Sequence, residues 1–227
     1  MKKILVSIVI FISSYTSSLG HVDHYSQFNY LEYELFRNNK AIGFHKYSFE
    51  RKDEILTVNS EVEFKITKLG VDLYTYKAKS AEDYKNNTFI NFSSKTNQNK
   101  KEKYVNITLS GDKNELIVDG SSFKGKTSIN NIVGTWWNHE IVKAKAQISA
   151  ISGRVIEQNV KFVGKQVVTL NEKQYNALHF NFSSSDESLP KEKKLNTDIW
   201  YDEKTFLWLK ASFDKKGYWE YRLKNYN

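Results

Sequence analysis

An all-β fold, a single strongly curled antiparallel sheet or half-open β-barrel, follows from three features of the sequence. Apolar residues recur at every second position over most of the chain. Polar turn clusters separate these runs at near-regular spacing. One segment, near residues 130–146, breaks the rhythm and predicts a short helical or irregular crossover. Alternation of this kind buries one strand face and leaves the other in water. A sheet of ten or more such strands rarely stays open and flat, so curling or closure is expected.

The N-terminus reads differently. Lys2 and Lys3 precede an apolar run from Ile4 to Ile12, broken only by Ser7, and the small-residue segment 13–20 ends in Ser18-Leu19-Gly20. That pattern predicts a signal peptide over residues 1–20 with cleavage after Gly20. The apolar run is nine residues long, against roughly twenty needed to span a bilayer. A periplasmic or secreted location is therefore expected. Loss of Lys2 and Lys3 lowers the formal charge from +8 to +6 and leaves residues 21–227 as one β domain. The absence of cysteine excludes disulfides, thiolate metal sites and a lipid-modified cysteine.

The clearest alternation runs over residues 56–66, where Leu56, Val58, Val62, Phe64 and Ile66 share one face. Leu31, Tyr33 and Leu35 alternate before it, and Asn38-Asn39-Lys40 supplies the turn into a strand over 41–50. Strands are predicted at 71–84, 88–96, 103–110 and 115–119, with turns at residues 97–100 and 111–114. Residues 156–163 and 166–170 flank Gly164-Lys165, a short hairpin signal. A strand follows at 175–183. The polar stretch 184–194, which holds the sole proline, Pro190, reads as a surface loop. Strands at 197–201, 206–213 and 218–223 end the chain.

Several function classes find no support. Lys100, Lys101 and Lys103, and Lys191, Lys193 and Lys194, are the densest basic clusters, and both sit in polar segments between apolar runs. They predict solvated loops rather than nucleic-acid contacts, and leave room for weak attraction to an anionic membrane surface. No HExxH motif follows His139-Glu140, because Lys143 and Ala144 stand there. Gly-x-Ser-x-Gly and glycine-rich phosphate loops are absent. The carboxylates on strand faces, such as Glu32, Glu34, Glu61 and Glu63, predict nothing by their number. His21 would become the first residue after cleavage, and with His24 nearby could chelate copper; a disordered terminus is the simpler reading. His45 and His179 fall in strands. No cofactor and no metal are expected.

The most unusual segment is Gly134-Thr135-Trp136-Trp137-Asn138-His139-Glu140. Adjacent tryptophans cannot share one strand face, so one ring plugs the core while the other covers an opening or a ligand, or both serve as packing anchors. Candidate ligand-contacting residues are Trp136, Trp137, Asn138 and His139, joined by Tyr74, Tyr76, Trp200 and Tyr201 from the aromatic strands. A curled sheet lined this way can enclose a cavity for an apolar molecule, or be filled by its own side chains.

Six blocks carry a family resemblance. They are residues 38–45 (Asn-Asn-Lys-Ala-Ile-Gly-Phe-His), Leu69-Gly70-Val71 with Tyr74-Thr75-Tyr76, Ser80-Ala81-Glu82-Asp83-Tyr84, Ser94-Lys95-Thr96-Asn97, Thr135-Trp136-Trp137-Asn138, and residues 197–202 (Thr-Asp-Ile-Trp-Tyr-Asp). In this order they resemble the uncharacterised exported bacterial family called domain of unknown function 6134, itself similar to a broader group of uncharacterised periplasmic β proteins. Tyr84 stands where a Trp is usual, and Lys100 where a turn glycine is common. The resemblance implies export and a β fold and supplies no catalytic residues. Three functions remain open: non-enzymatic binding of a lipid or other amphipathic envelope molecule, a structural or protein-interaction module with a packed core, and an envelope hydrolase. The last requires His139 or His179 beside a carboxylate in a cleft.

Overall fold

The computed structural model describes residues 22–227; the expected signal peptide, its cleavage point and His21 lie outside the described residues. Eight strands come first: β1 (Tyr30–Arg37), β2 (Lys40–Lys52), β3 (Ile55–Lys68), β4 (Val71–Lys85), β5 (Thr88–Gln98), β6 (Lys101–Leu109), β7 (Glu115–Gly120) and β8 (Lys124–Ser128). Seven follow: β9 (Ile132–Val133), β10 (Ala146–Ile148), β11 (Val155–Leu170), β12 (Lys173–Ser184), β13 (Asn196–Asp202), β14 (Trp208–Asp214) and β15 (Tyr218–Tyr226). All join one 15-stranded sheet, in which β1 pairs with both β2 and β15, so the two chain halves meet at its centre. The sheet is a half-open barrel whose edges, β8 and β9, are consecutive in sequence.

Local chemistry sets most of the register. Six hairpins turn on two residues, and five of these turns begin with Asn or Asp (Asn38, Asp53, Asn86, Asn99, Asn171), each at φ between 47° and 55°. These side chains tolerate the left-handed region that a tight hairpin turn requires. The sixth begins with Leu69.

The concave face is filled. Trp137, Trp208, Tyr25, Tyr33, Tyr47 and Tyr201 are among the largest fully buried side chains. A second cluster joins Phe92, Val105, Ile107, Leu116 and Val118 of β5–β7 to Val133 and Ile148 of β9 and β10. This packing rolls the far edges toward one another. At the seam the Ser122 amide donates to the Ser152 carbonyl at 2.8 Å, and the Ser94 hydroxyl donates to the Ala150 carbonyl at 2.6 Å.

Two details depart from the sequence reading, and the irregular segment falls where the sequence places it. Residues 155–170 form one strand rather than a hairpin at Gly164-Lys165; the register slips between Phe162 and Gly164, and the turn lies at Asn171-Glu172. A glycine inside a strand marks a bulge, and here the pairing runs on past it, with Lys165 opposite Leu178 and Gln166 opposite Ala177, so the chain does not turn back. The short polar strand β8 carries no apolar alternation, as suits an edge guarded by lysines. The irregular segment holds β9, a 3-10 turn (His139–Lys143) and β10. Strands β9 and β10 pair in parallel, which the intervening crossover of a dozen residues allows.

The seam yields a direct test. A Cβ on Gly120 would lie 2.6 Å from the Ser152 carbonyl oxygen and 2.9 Å from the Gly153 Cα, both backbone atoms that cannot swing away. Gly120→Val is expected to destabilise the fold by about 1–3 kcal/mol and lower Tm by several degrees in thermal unfolding. Gly111→Ala, where a Cβ meets nothing within 4 Å, is expected to stay within about 2 °C of wild type. Equal Tm values for the two variants would sink this account of the seam.

Candidate functional site

The chain between β9 and β10 enters the concave side of the sheet and is held there by hydroxyls from two strands. Tyr47 of β2 donates to the Thr135 carbonyl, and Tyr201 of β13 donates to the Trp136 carbonyl at 2.8 Å. Between these anchors Trp136 adopts φ 60°, a conformation that a bulky side chain rarely takes without outside restraint. Its indole packs edge-on against Trp208 and Tyr221, with ring centroids 5.6 Å from each. Asn138 then caps the 3-10 turn, its side chain accepting the Glu140 amide at 3.1 Å.

Trp137 is fully buried and donates its indole N–H to Oε2 of Glu82 at 3.0 Å. The Thr135 hydroxyl reaches the same oxygen at 3.4 Å, and the Tyr84 hydroxyl donates to Oε1. Burial outweighs these donors and pushes the Glu82 carboxyl up to about 7. Glu82 is thus an inward-facing acid of β4 that carries a proton over much of the range near neutrality.

Beside this acid lies a pocket of about 500 Å³, at the end of the roll where β4 and β6 finish and β5 and β7 begin. Phe89, Leu109, Leu116, Ile132 and Val133 form its apolar wall. Glu82, Tyr84, Asn138 and Glu140 bring polar atoms to it, and Lys143 and Lys145 stand at its rim. Glu140 is buried and pairs with Lys143 and with His139, whose Nε2 is 3.2 Å away.

The eight residues predicted from sequence fall into five places. Asn138 lines the pocket, and Trp137 stands behind its wall, against Glu82 and the ring of Tyr84. His139 stacks on Phe206 at 4.4 Å, and its amide donates to the Tyr25 hydroxyl at 3.1 Å. Trp136 and Tyr201 join in the core. Trp200 stacks on His179 at 4.3 Å, away from the pocket wall. Tyr74 and Tyr76 pack on Phe64 in a separate cluster toward the other end of β4.

Glu82 escaped the sequence reading, although the signal for it exists. Tyr76, Ala78, Ser80, Glu82 and Tyr84 share one face of β4, and a lone carboxylate on the face bearing buried aromatics marks an inward acid. Its proximity to Trp137 has no signature in the sequence.

Acid–base chemistry is constrained by the same packing. Both imidazoles that a hydrolase would need stand beside carboxylates, His139 by Glu140 and His179 by Asp198 at 2.8 Å, but neither histidine lines the pocket. Ser60 places its hydroxyl 3.2 Å from His45, but burial drives that imidazole down to about 3, too weak a base to activate a hydroxyl near neutrality. Among the described residues no cluster of three or more His, Asp or Glu side chains could hold a metal ion.

Comparison with known proteins adds a fold and a family. No curated protein matches the chain. A solved β-barrel-like protein of domain of unknown function DUF1849 from Brucella abortus superposes with a TM-score of 0.59 at 13% identity, covering 87% of this chain and 96% of that one. A DUF1329 family protein from Desulfovibrio piger aligns over 90% of this chain and 88% of its own, at 9% identity and a TM-score of 0.26, too distant to bear on the fold. The domain of unknown function DUF6134 matches residues 33–224, and the chain belongs to that family.

Proposed function

We propose that this chain is an exported protein that binds, without chemistry, an apolar or amphipathic molecule of the cell envelope in the pocket beside Glu82. The observation that carries the reading is an apolar-walled space of about 500 Å³ with a few convergent polar groups. Small-molecule sites have this size and composition. The tail of an amphiphile would lie against Phe89, Leu109, Leu116 and Val133, with its polar end among Asn138, Glu140 and Lys143. The protonated Glu82 carboxyl offers a hydrogen-bond donor at the inner wall. Export rests on the leader-like residues 1–20, and a periplasmic or secreted location follows from it.

A second reading, a structural or interaction module, draws on a different observation. The middle of the roll is solid with aromatic side chains, and β11 exposes Phe162, Val163 and Val167 beyond its short pairing with β10.

Three measurements test these statements. Native mass spectrometry of protein purified from its own envelope is expected to show a co-purifying amphiphile, lost in the pocket-filling variants Leu116→Trp and Val133→Trp. An unliganded wild-type protein would favour the second reading. The intact mass is expected to correspond to a chain beginning at His21; a mass that includes residues 1–20 would remove the case for a cleaved leader.

The third concerns pH. A carboxyl whose folded-state pKa is about 7, against 4.5 in an unfolded chain, binds more protons folded than unfolded between those values. Its contribution to stability therefore falls as pH rises from 4.5 to 7, by roughly 3 kcal/mol, and levels off above. Glu82→Gln is expected to remove this slope. Denaturant unfolding at pH 5 and pH 8 should show wild type losing stability relative to the variant at the higher pH, and parallel profiles would refute it.

A further inference from the structure

The end of the roll opposite the pocket carries a feature that ligand binding does not use. Antiparallel strands return the chain to the same end at every second turn, so the turns after β1, β3 and β5 share one end, while the pocket opens at the other. At the first end the β3–β4 hairpin outreaches its neighbours. Strand β2 pairs with β3 only as far as Phe64, and β5 pairs with β4 only from Tyr76. Residues 65–68 thus pair only with 71–75, an arm about 13 Å long at 3.3 Å per residue.

The tip of this arm is apolar where solubility and turn chemistry both ask for polarity. Leu69 opens the turn at φ 51° and is 95% exposed, while every other two-residue turn opens with Asn or Asp. Val71 is 61% exposed, and Leu73, the extra residue of a bulge in β4, is 55% exposed. A leucine held left-handed in water is unfavourable twice over, in backbone conformation and in solvation.

Charge around the tip has one dominant sign. Lys40, Lys65, Lys68, Lys77, Lys100 and Lys101 are all exposed at this end. Asp72 and Glu63 are already ion-paired with Lys65 and Lys77, and Glu102 is hydrogen-bonded to Asn97. The basic cluster at Lys191, Lys193 and Lys194 adds no net charge, since Asp186, Glu187 and Glu192 share its loop.

An apolar prong inside a lysine collar matches the interface of an anionic bilayer, where apolar groups enter by about 5–10 Å and lysines meet the head groups. We propose that the β3–β4 arm docks this protein on an anionic lipid surface, with Leu69, Val71 and Leu73 inserted and the collar on the head groups. The pocket then faces away from that surface. This inference is independent of what the pocket binds.

The cysteine-free chain makes the test direct. Leu69→Cys and, at the opposite end, Asn87→Cys are each labelled with an environment-sensitive fluorophore and mixed with phosphatidylglycerol–phosphatidylcholine vesicles. A blue shift is expected at position 69 and none at position 87, and it should weaken in 0.5 M salt and with pure phosphatidylcholine. In co-sedimentation the unlabelled variant Leu69→Asn/Leu73→Thr, whose Asn-Gly turn suits the hairpin, is expected to keep its Tm and bind at least tenfold more weakly than wild type. No shift at 69, equal shifts at both ends, or unchanged sedimentation of the double variant would overturn the proposal. So would a shift that appears without vesicles as protein concentration rises, which would assign the arm to a second copy of the chain.

Discussion

Trp137 and Glu82 meet at the centre of this molecule, an indole N–H on a carboxylate oxygen 3.0 Å away, both fully buried. The contact joins the crossover segment to β4, and much of the architecture depends on what it secures. A sheet of fifteen strands that curls creates a concave face too wide for its own side chains to cover. Here the chain fills that space with itself, sending residues 134–145 inward and anchoring them on Tyr47, Tyr201 and Glu82.

The same arrangement accounts for the site. An inserted segment cannot match a curved sheet everywhere, and the mismatch collects where β8 and β9 leave the barrel unclosed. There the apolar ends of β5, β6 and β7 face the crossover across open space, while Glu82 and Glu140 bring carboxylates to its wall. A buried acid next to an apolar cleft is unfavourable for folding unless hydrogen-bonded. Three donors meet that need at Glu82 without abolishing its raised affinity for a proton.

The two ends of the roll therefore differ in kind. One is a pocket rimmed by a mixture of acids and lysines; the other is an apolar arm inside a lysine collar. Hairpin connectivity produces this polarity, because it sends successive turns to alternate ends. A protein with two unlike ends can face a surface with one and a ligand with the other.

Strand positions, most turns and the all-β class were legible in the sequence, since alternation and Asn-rich turns act over a few residues. Leu31, Tyr33 and Leu35 announce an inward face wherever the strand sits, and Asn38-Asn39 announces a hairpin whatever it joins. The break at residues 130–146 was legible too, as a failure of the same pattern. Gly164 shows the limit of local reading, for its bulge and a turn look alike until strand pairing distinguishes them. Which residues met across the roll was settled by long-range packing alone. The partnership of Glu82 with Trp137, the separation of Tyr74 and Tyr76 from the pocket, and the seam at Gly120 and Gly153 join positions tens of residues apart. Period and turn chemistry specify each strand by itself; the curvature of the sheet, which the sum of all strands decides, specifies who faces whom.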